Sequence, residues 1–300
     1  MMKRIFSPVE VTQDNFYHRL DKFLLKAYPE IMRSSIMKLI RKGNVYVNGK
    51  RRKAVSYTLC TGDVVEICIS NEDIKPLLRS KKPSYTKVKR MALTIIYEDE
   101  NIFVVDKPGG IPTQPGTKIQ FSLLSGLNYL GEKKGFHPYL VHRLDKYTSG
   151  VLVVAKNIYT ARYLSSQFKN HSVIKEYYTV VIGKTRQKQG KITIPLDDKR
   201  AVTYYEVLKE SNELSLLRVR ITTGRKHQIR RHLAAISCPI LGDDLYGDRK
   251  QNRALKKKYN FKAYLLHCSS ITLDIPQKGE KTFTIKRKFE YIFPETRSSE

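Results

Sequence analysis

The chain has no tryptophan, only four cysteines in 300 residues, and half as many acidic as basic side chains. Cys60, Cys68, Cys238 and Cys268 show no CxxC spacing, which argues against a clustered-cysteine metal site and for reduced thiols in a cytoplasmic protein. No apolar run approaches the ~18 residues that cross a bilayer, and the N-terminus has no signal-peptide core, so neither a span nor a leader is expected. The 28 Asp+Glu face 56 Lys+Arg, a formal net charge of +28. Such an excess repels itself in a folded chain and fits a polyanionic partner. The 19 Tyr and 11 Phe can supply stacking surfaces for bases, although most aromatics serve cores. A 41% hydrophobic content over this length supports one large core or two unequal ones.

The most informative stretch runs from Tyr139 to Ala155. Val151 to Ala155 is β-branched and apolar, hence a buried strand. The polar turn Lys146-Tyr147-Thr148-Ser149-Gly150 precedes it, with Gly150 able to take backbone angles other residues resist. Asp145 stands at the mouth of that turn, close to His142 and Arg143. It reads either as a turn cap or as a carboxylate displayed by a strand-anchored loop for chemistry.

Residues 1–15 read as a loose arm, and 16–70 as a small α+β domain. Leu20, Phe23, Leu24 and Ala27 recur at helical spacing, as do Ile31, Ile36, Leu39 and Ile40, with Gly43 just past the second helix. Val45 and Val47 alternate with polar residues before the hairpin signal Asn48-Gly49, and Val64 to Ile69 is another strand. Between Ile31 and Lys53 there is no acid, while Arg33, Lys38, Arg41, Lys42, Arg51 and Arg52 sit among the cations. A one-signed helix and hairpin suit RNA phosphates better than a merely solvated face does. His18-Arg19-Leu20-Asp21 repeats the tetrapeptide ending at Asp145, but a helix follows at once, so Arg19 and Asp21 read as helix-start residues. The segment from about Tyr17 to Ile69 resembles the S-four type of RNA-binding module, which implies contact with structured RNA.

Residues 71–90, with Pro76, Pro83 and a run of cations, form a basic linker. From 91 to 300 strands dominate. Leu93 to Tyr97 and Ile102 to Val105 suggest a hairpin; Asp106 to Gly110 breaks the sheet as a cleft-lining loop, with no obvious helix after it. A helix is expected over Ile158 to Phe168, with Asn157 as cap. Strands follow at 173–182, 191–195, 202–208, 214–222, 264–275 and 282–286, and Thr223 to Ala235 is a turn entering a helix. Lys256-Lys257-Lys258 is a further basic patch. Without regular βαβ alternation the class is α+β, a mixed and mostly antiparallel sheet beside the small N-terminal domain.

His227 and His232, five apart, do not share a helix face, and adjacent Asp243 and Asp244 point apart, so no metal is expected. Ser149 lacks a nucleophile-elbow frame. His142 and His227 read as structural residues, and either Tyr177 or Tyr178 must face the core.

Five motifs stand in order: His142-Arg-Leu-Asp145-x-x-Thr-Ser-Gly150; Lys175-x-Tyr177; Ala201-x-Thr203-x-Tyr205; Thr223-Gly-Arg225-x-His-Gln-Ile229-Arg230; and Gly242-Asp243 before Tyr246-Gly247. From about Leu93 to Ile275 this is similar to the RluA-type pseudouridine synthases, in the branch acting on large-subunit ribosomal RNA. The resemblance implies that Asp145 is a nucleophile toward a flipped-out uridine. It implies that Tyr177 stacks on the uracil and takes the proton from carbon 5, and that Arg230 pairs with Asp145. It further implies that Arg143 fills the gap left in the RNA and that Ile229 packs in the pocket. Arg225 could bind phosphate or be merely solvated. The isomerisation neither changes redox state nor consumes water, so no cofactor is required. A cation such as Arg230 would keep a partly buried carboxylate charged, so contact between these two side chains is expected. A non-catalytic RNA-binding or ribosome-assembly protein, a tRNA-directed synthase and a carboxylate glycosidase are the competing readings. No acid accompanies Asp145 in any motif, which disfavours the last. With no heptad seam, a monomer is the default.

Overall fold

The computed structural model describes residues 3–4, 7–13, 16–28, 31–69, 93–115, 121–286 and 289–293. The linker expected at 71–90 lies outside them. The chain divides into two compact units, Met1–Ser84 and Tyr85–Glu300.

The first unit contains β1 (Lys3–Arg4), β2 (Val9–Glu10), α1 (Leu20–Ala27), α2 (Arg33–Lys42), β3 (Val45–Val47), β4 (Lys50–Arg52) and β5 (Val64–Ile69). Helix α1 buries Leu20, Phe23 and Leu24, the i, i+3, i+4 stripe, and α2 buries Ile36, Leu39 and Ile40. Both stripes pack on Val45, Val47, Val65 and Ile67 of the sheet. Asn48 and Gly49, both at positive φ, turn β3 into β4. The described part of the expected loose arm is paired instead: β1 and β2 both run antiparallel to β5. That pairing satisfies backbone groups that an open edge would leave unmet. Arg19 donates to the buried Asp21 at 2.9 and 3.2 Å, so the N-terminal His-Arg-Leu-Asp closes the start of α1.

The second unit follows as β6 (Thr94–Glu98), β7 (Ile102–Lys107), α3 (Leu123–Lys134), β8 (Tyr139–Leu140), β9 (Ser149–Ala155) and α4 (Ile158–Lys169). Next come β10 (Ile174–Ile182), β11 (Gln189–Ile192), β12 (Thr203–Glu210), β13 (Leu214–Ile221), α5 (Gln228–Ala235), α6 (Arg249–Tyr259), β14 (Leu266–Ile275) and β15 (Gly279–Thr284). One mixed sheet runs β11-β12-β13-β10-β14-β9-β7-β6, with β15 added to β14 and β8 to β9. Its pairs are antiparallel except β9 with β14, so the α+β, mostly antiparallel reading holds. Three local expectations do not. Strand β7 continues through Lys107 where a break was read, and α3 and α6 are helices where none was read.

Strand β9 is buried at every position, as its β-branched run requires. It meets β14 at Gly150, where φ is +113° and an added Cβ would lie 2.1 Å from the Cys268 carbonyl oxygen. Only glycine fits both the angle and the approach. The loop that carries Asp145 therefore enters the core at a fixed point.

Candidate active site

Residues 141–148 link β8 to β9. His142 accepts a hydrogen bond from the Val153 amide through Nε2 (2.9 Å) and stacks on Phe168. Burial, helped by Lys175, pushes its pKa down to about 3, so it stays neutral and pegs the loop to the sheet. Leu144 is buried, and the Thr113 hydroxyl donates to its carbonyl (2.7 Å) while accepting from its amide (3.2 Å). Arg143, Leu144 and Asp145 all line the same open cleft, Leu144 with almost no exposed surface.

The turn after Asp145 is pinned by a residue the sequence reading placed in a broken strand. Lys107 has no exposed surface, and its ammonium donates to the carbonyls of Pro108 (3.0 Å), Lys146 (3.2 Å) and Thr148 (2.8 Å). Burial lowers its pKa to about 8, against the pull of Asp145 and Asp106.

The cleft has a volume of about 490 Å³. Asp145 lies at its floor with 23% of its side chain exposed, 3.7 Å from Arg230 Nη1 and 3.9 Å from His227 Nε2. The expected approach of Arg230 is present, but at ion-pair rather than hydrogen-bond range. The tight partner of Arg230 is Asp243, through Nε to Oδ2 at 2.6 Å and Nη2 to Oδ1 at 2.8 Å. The guanidinium also lies over the Tyr264 and Tyr246 rings, at 4.5 and 5.0 Å. Burial opposes its charge, yet the Asp243 bonds, Tyr264 and Asp145 raise its pKa above the ordinary value. A permanent cation is thus held next to Asp145 by a second carboxylate. The fork-to-carboxylate geometry leaves Nη1 facing Asp145.

His227, expected as a packing or hydrogen-bonding residue holding the Arg230 helix, makes such a bond and also faces Asp145. It sits in the left-handed region (φ 54°) at the start of α5, its Nδ1 bonded to the Tyr246 hydroxyl at 2.9 Å, with Nε2 toward Asp145. Burial lowers its pKa although Asp145 pulls the other way. Tyr264, whose phenol is pushed up to about 12 by burial and Asp145, bonds Thr148 at 3.2 Å and closes the turn from the far side.

The other sequence candidates fall in different places. Tyr177 is 6% exposed and is not among the residues that line the cleft. Burial, then Cys268 and Asp145, hold its pKa well above the ordinary value. Opposite Tyr177 the pairing skips Ser269, so a bulge in β14 lies beside this side chain, the kind of irregularity found near sites. Ile229 is buried in the core under α5 and also does not line the cleft. Arg225 donates through Nε to the Arg200 carbonyl (3.2 Å), outside the cleft. In the first unit Arg33, Lys38, Arg41, Lys42 and Arg51 are exposed, while Arg52 is half-buried over the Tyr57 ring. Gly43 lets the stem of Arg51 reach the end of α2, so Arg51 joins Arg41 and Lys42 there. Arg33 stands at the other end, ~13 Å along the axis.

Sequence reasoning missed Lys107, Asp243, His227 and Tyr264 as members of the site. Asp243 and His227 lay within recognised motifs but carried no charge pattern of their own. Tyr264 and Lys107 had no local signal at all.

Comparison with known proteins bears on this geometry. The family model described as RNA pseudouridylate synthase matches residues 101–235, and that of the S4 domain matches 18–65. The chain is 36% identical over 299 residues to the ribosomal large subunit pseudouridine synthase C of Rickettsia conorii, covering 92% of this chain and 94% of that one. It is 38% identical over 267 residues to an uncharacterized RNA pseudouridine synthase of Aquifex aeolicus, with 81% of each covered. The solved structure of human RNA pseudouridylate synthase domain containing 4 superposes with a TM-score of 0.58 at 26% identity, covering 69% of this chain and 93% of that one.

Proposed function

We infer the chemistry from one premise: the chain belongs to the RNA pseudouridylate synthase family. It is an isomerase that converts uridine in RNA to pseudouridine. We propose that the RNA is large-subunit ribosomal RNA, because curated relatives over nine-tenths of the chain carry that name and an S4 domain precedes the catalytic unit.

The observation that supports the site assignment is that Arg143 and Asp145 line one cleft, with Asp145 3.7 Å from the Arg230 guanidinium. A uridine inside a helix must be turned out before it can react, at a cost of a few kcal/mol. Arg143 is exposed at the rim, and its flat cation suits the gap the base leaves. Asp145 attacks the extruded nucleoside as a carboxylate nucleophile, with the Arg230 guanidinium 3.7 Å away. The bond from ribose C1′ to base N1 breaks as Asp145 bonds C1′, the uracil turns, and C1′ joins C5 as the Asp145 carboxylate leaves. One proton leaves C5 and one is gained at N1, so the product has the atoms of the substrate. Tyr177 and Ile229 are buried and do not line the cleft, so contact with the uracil requires the cleft to open toward them. Tyr177 as proton acceptor must first lose or share its own proton, which its surroundings resist. The other carboxylates lining the cleft, Asp243 and Asp244, are bonded to Arg230 and Lys256, so a second carboxylic acid of the kind a glycosidase uses is not on offer.

The test is release of tritium from RNA labelled at uridine C5. Large-subunit ribosomal transcripts should yield tritium and pseudouridine, and transfer RNA little of either. Equal release from transfer RNA would overturn the proposed target, and liberated uracil would overturn the proposed reaction.

A further inference from the structure

Helix α6 stands beside the cleft and carries six cations, Arg249, Lys250, Arg253, Lys256, Lys257 and Lys258, with no acid in its eleven residues. Like charges at i, i+4 destabilise a helix, so this composition works against the helix unless an anion lies over it. The helix is nevertheless firmly placed. Asp248 caps it by accepting from the Gln251 amide at 2.6 Å, and Leu255 is buried. The buried Asn252 accepts from the Gly242 amide at 2.8 Å, next to the Asp243 that grips Arg230. The helix is therefore fixed to the same loop as the candidate catalytic pair.

Arg249, Arg253 and Lys256 follow i, i+4, i+7 and share one face. Together with Asp244 they line a groove of about 470 Å³, and Asp244 and Lys256 also line the Asp145 cleft, so the two adjoin. Three cations against one carboxylate leave the groove at +2. Asp244 is engaged by Lys256 at 2.6 Å, and Arg249 donates to the Asp244 carbonyl at 3.2 Å. Arg253 has no hydrogen-bond or ion-pair partner among the described residues.

We propose that this groove holds phosphodiesters of the target RNA strand adjoining the extruded uridine, a docking site separate from the S4 domain. The inference rests on reading the Asp145 cleft as the uridine pocket. Because the groove shares a wall with that pocket, a strand leaving the flipped nucleotide passes over α6 directly. Its phosphates meet arginine forks already oriented for them.

The test compares the full chain with Arg249→Gln/Arg253→Gln and with Lys250→Gln/Lys257→Gln, an equal charge change on the adjoining face of α6. Dissociation constants for a ribosomal RNA fragment are measured from 50 to 300 mM salt. Loss of two phosphate contacts flattens the slope of log K against log salt by about 1.4 on single-stranded RNA and about 1.8 on duplex. That change is expected for the groove variant, with a much smaller one for the control. A three-nucleotide RNA centred on the target uridine is too short to cross the groove and should bind both proteins alike. An unmoved slope, or equal flattening in both variants, would overturn the proposal. Circular dichroism melts establish that the variants fold. Pseudouridine formation by the wild type with an unmoved slope would break the groove and leave the reaction standing. A groove-dependent slope in a protein that makes no pseudouridine would break the reaction and leave the groove.

Discussion

Arg230 grips Asp243 through two hydrogen bonds, at 2.6 and 2.8 Å, in a buried pair that neither residue could occupy alone. Removing one partner of such a pair leaves an uncompensated charge, at a cost of roughly 3 kcal/mol or more. Asp243→Asn is therefore expected to lower unfolding free energy by about that much and to cut turnover sharply. Urea unfolding of the variant checks this. A change under ~1 kcal/mol would mean that Asp145 alone can hold the guanidinium.

Tyr177 supplies a ring and a hydroxyl, and Tyr177→Phe separates them. The buried ring remains, while the hydroxyl is lost. If that oxygen takes the C5 proton, kcat falls by about 100-fold or more with KM little changed, the scale of general acid–base catalysis. Undiminished product formation would exclude the hydroxyl.

Lys107 makes stability depend on pH in a direction that can be worked out. Its folded pKa is about 8 against an ordinary 10.5. Below about 8 both folded and unfolded chains hold the proton, and the cost of burial stands in full. From about 8 to 10.5 the unfolded chain keeps a proton that the folded chain has released, so this contribution to stability rises with pH. The rise totals roughly 3 kcal/mol at ~1.4 kcal/mol per pKa unit. Lys107→Met cannot titrate. The difference in unfolding free energy, wild type minus variant, should climb between pH 8 and 10, and a flat difference would contradict the assignment.

Gly150→Ala places a methyl group 2.1 Å from the Cys268 carbonyl oxygen, at a φ of +113°. Backbone must shift at the β9–β14 junction, so the second unit is expected to lose its cooperative melt. A variant within ~1 kcal/mol of wild type would show that the junction can open without cost.

Local chemistry made much of this fold legible. The run Val151 to Ala155, the cap Asn157, Gly43 beyond α2 and the Asn48-Gly49 turn each determine their own backbone, and each sits as read. Helix α3 was hidden because Gly126 and Gly131 interrupt its apolar spacing; Gly131 is required there by the Phe136 carbonyl, 2.4 Å from where a Cβ would be. Helix α6 was hidden because only Asn252 and Leu255 of its residues are buried, too few for an apolar period. In the site, Asp145, Arg143 and Arg230 were legible because they lie in dense motifs. The partners that position them were not. Asp243 is 13 residues from Arg230, Lys107 is 39 from Lys146, and Tyr264 is 116 from Thr148, distances that only the folded sheet closes.

Asp145→Asn tests the account at its centre. The amide preserves the shape of the side chain and the Arg143 rim but cannot act as a carboxylate nucleophile. Ribosomal RNA should bind the variant with affinity near that of the wild type, while pseudouridine falls below detection in single-turnover reactions. Pseudouridine formed at a measurable rate by this variant would contradict the account.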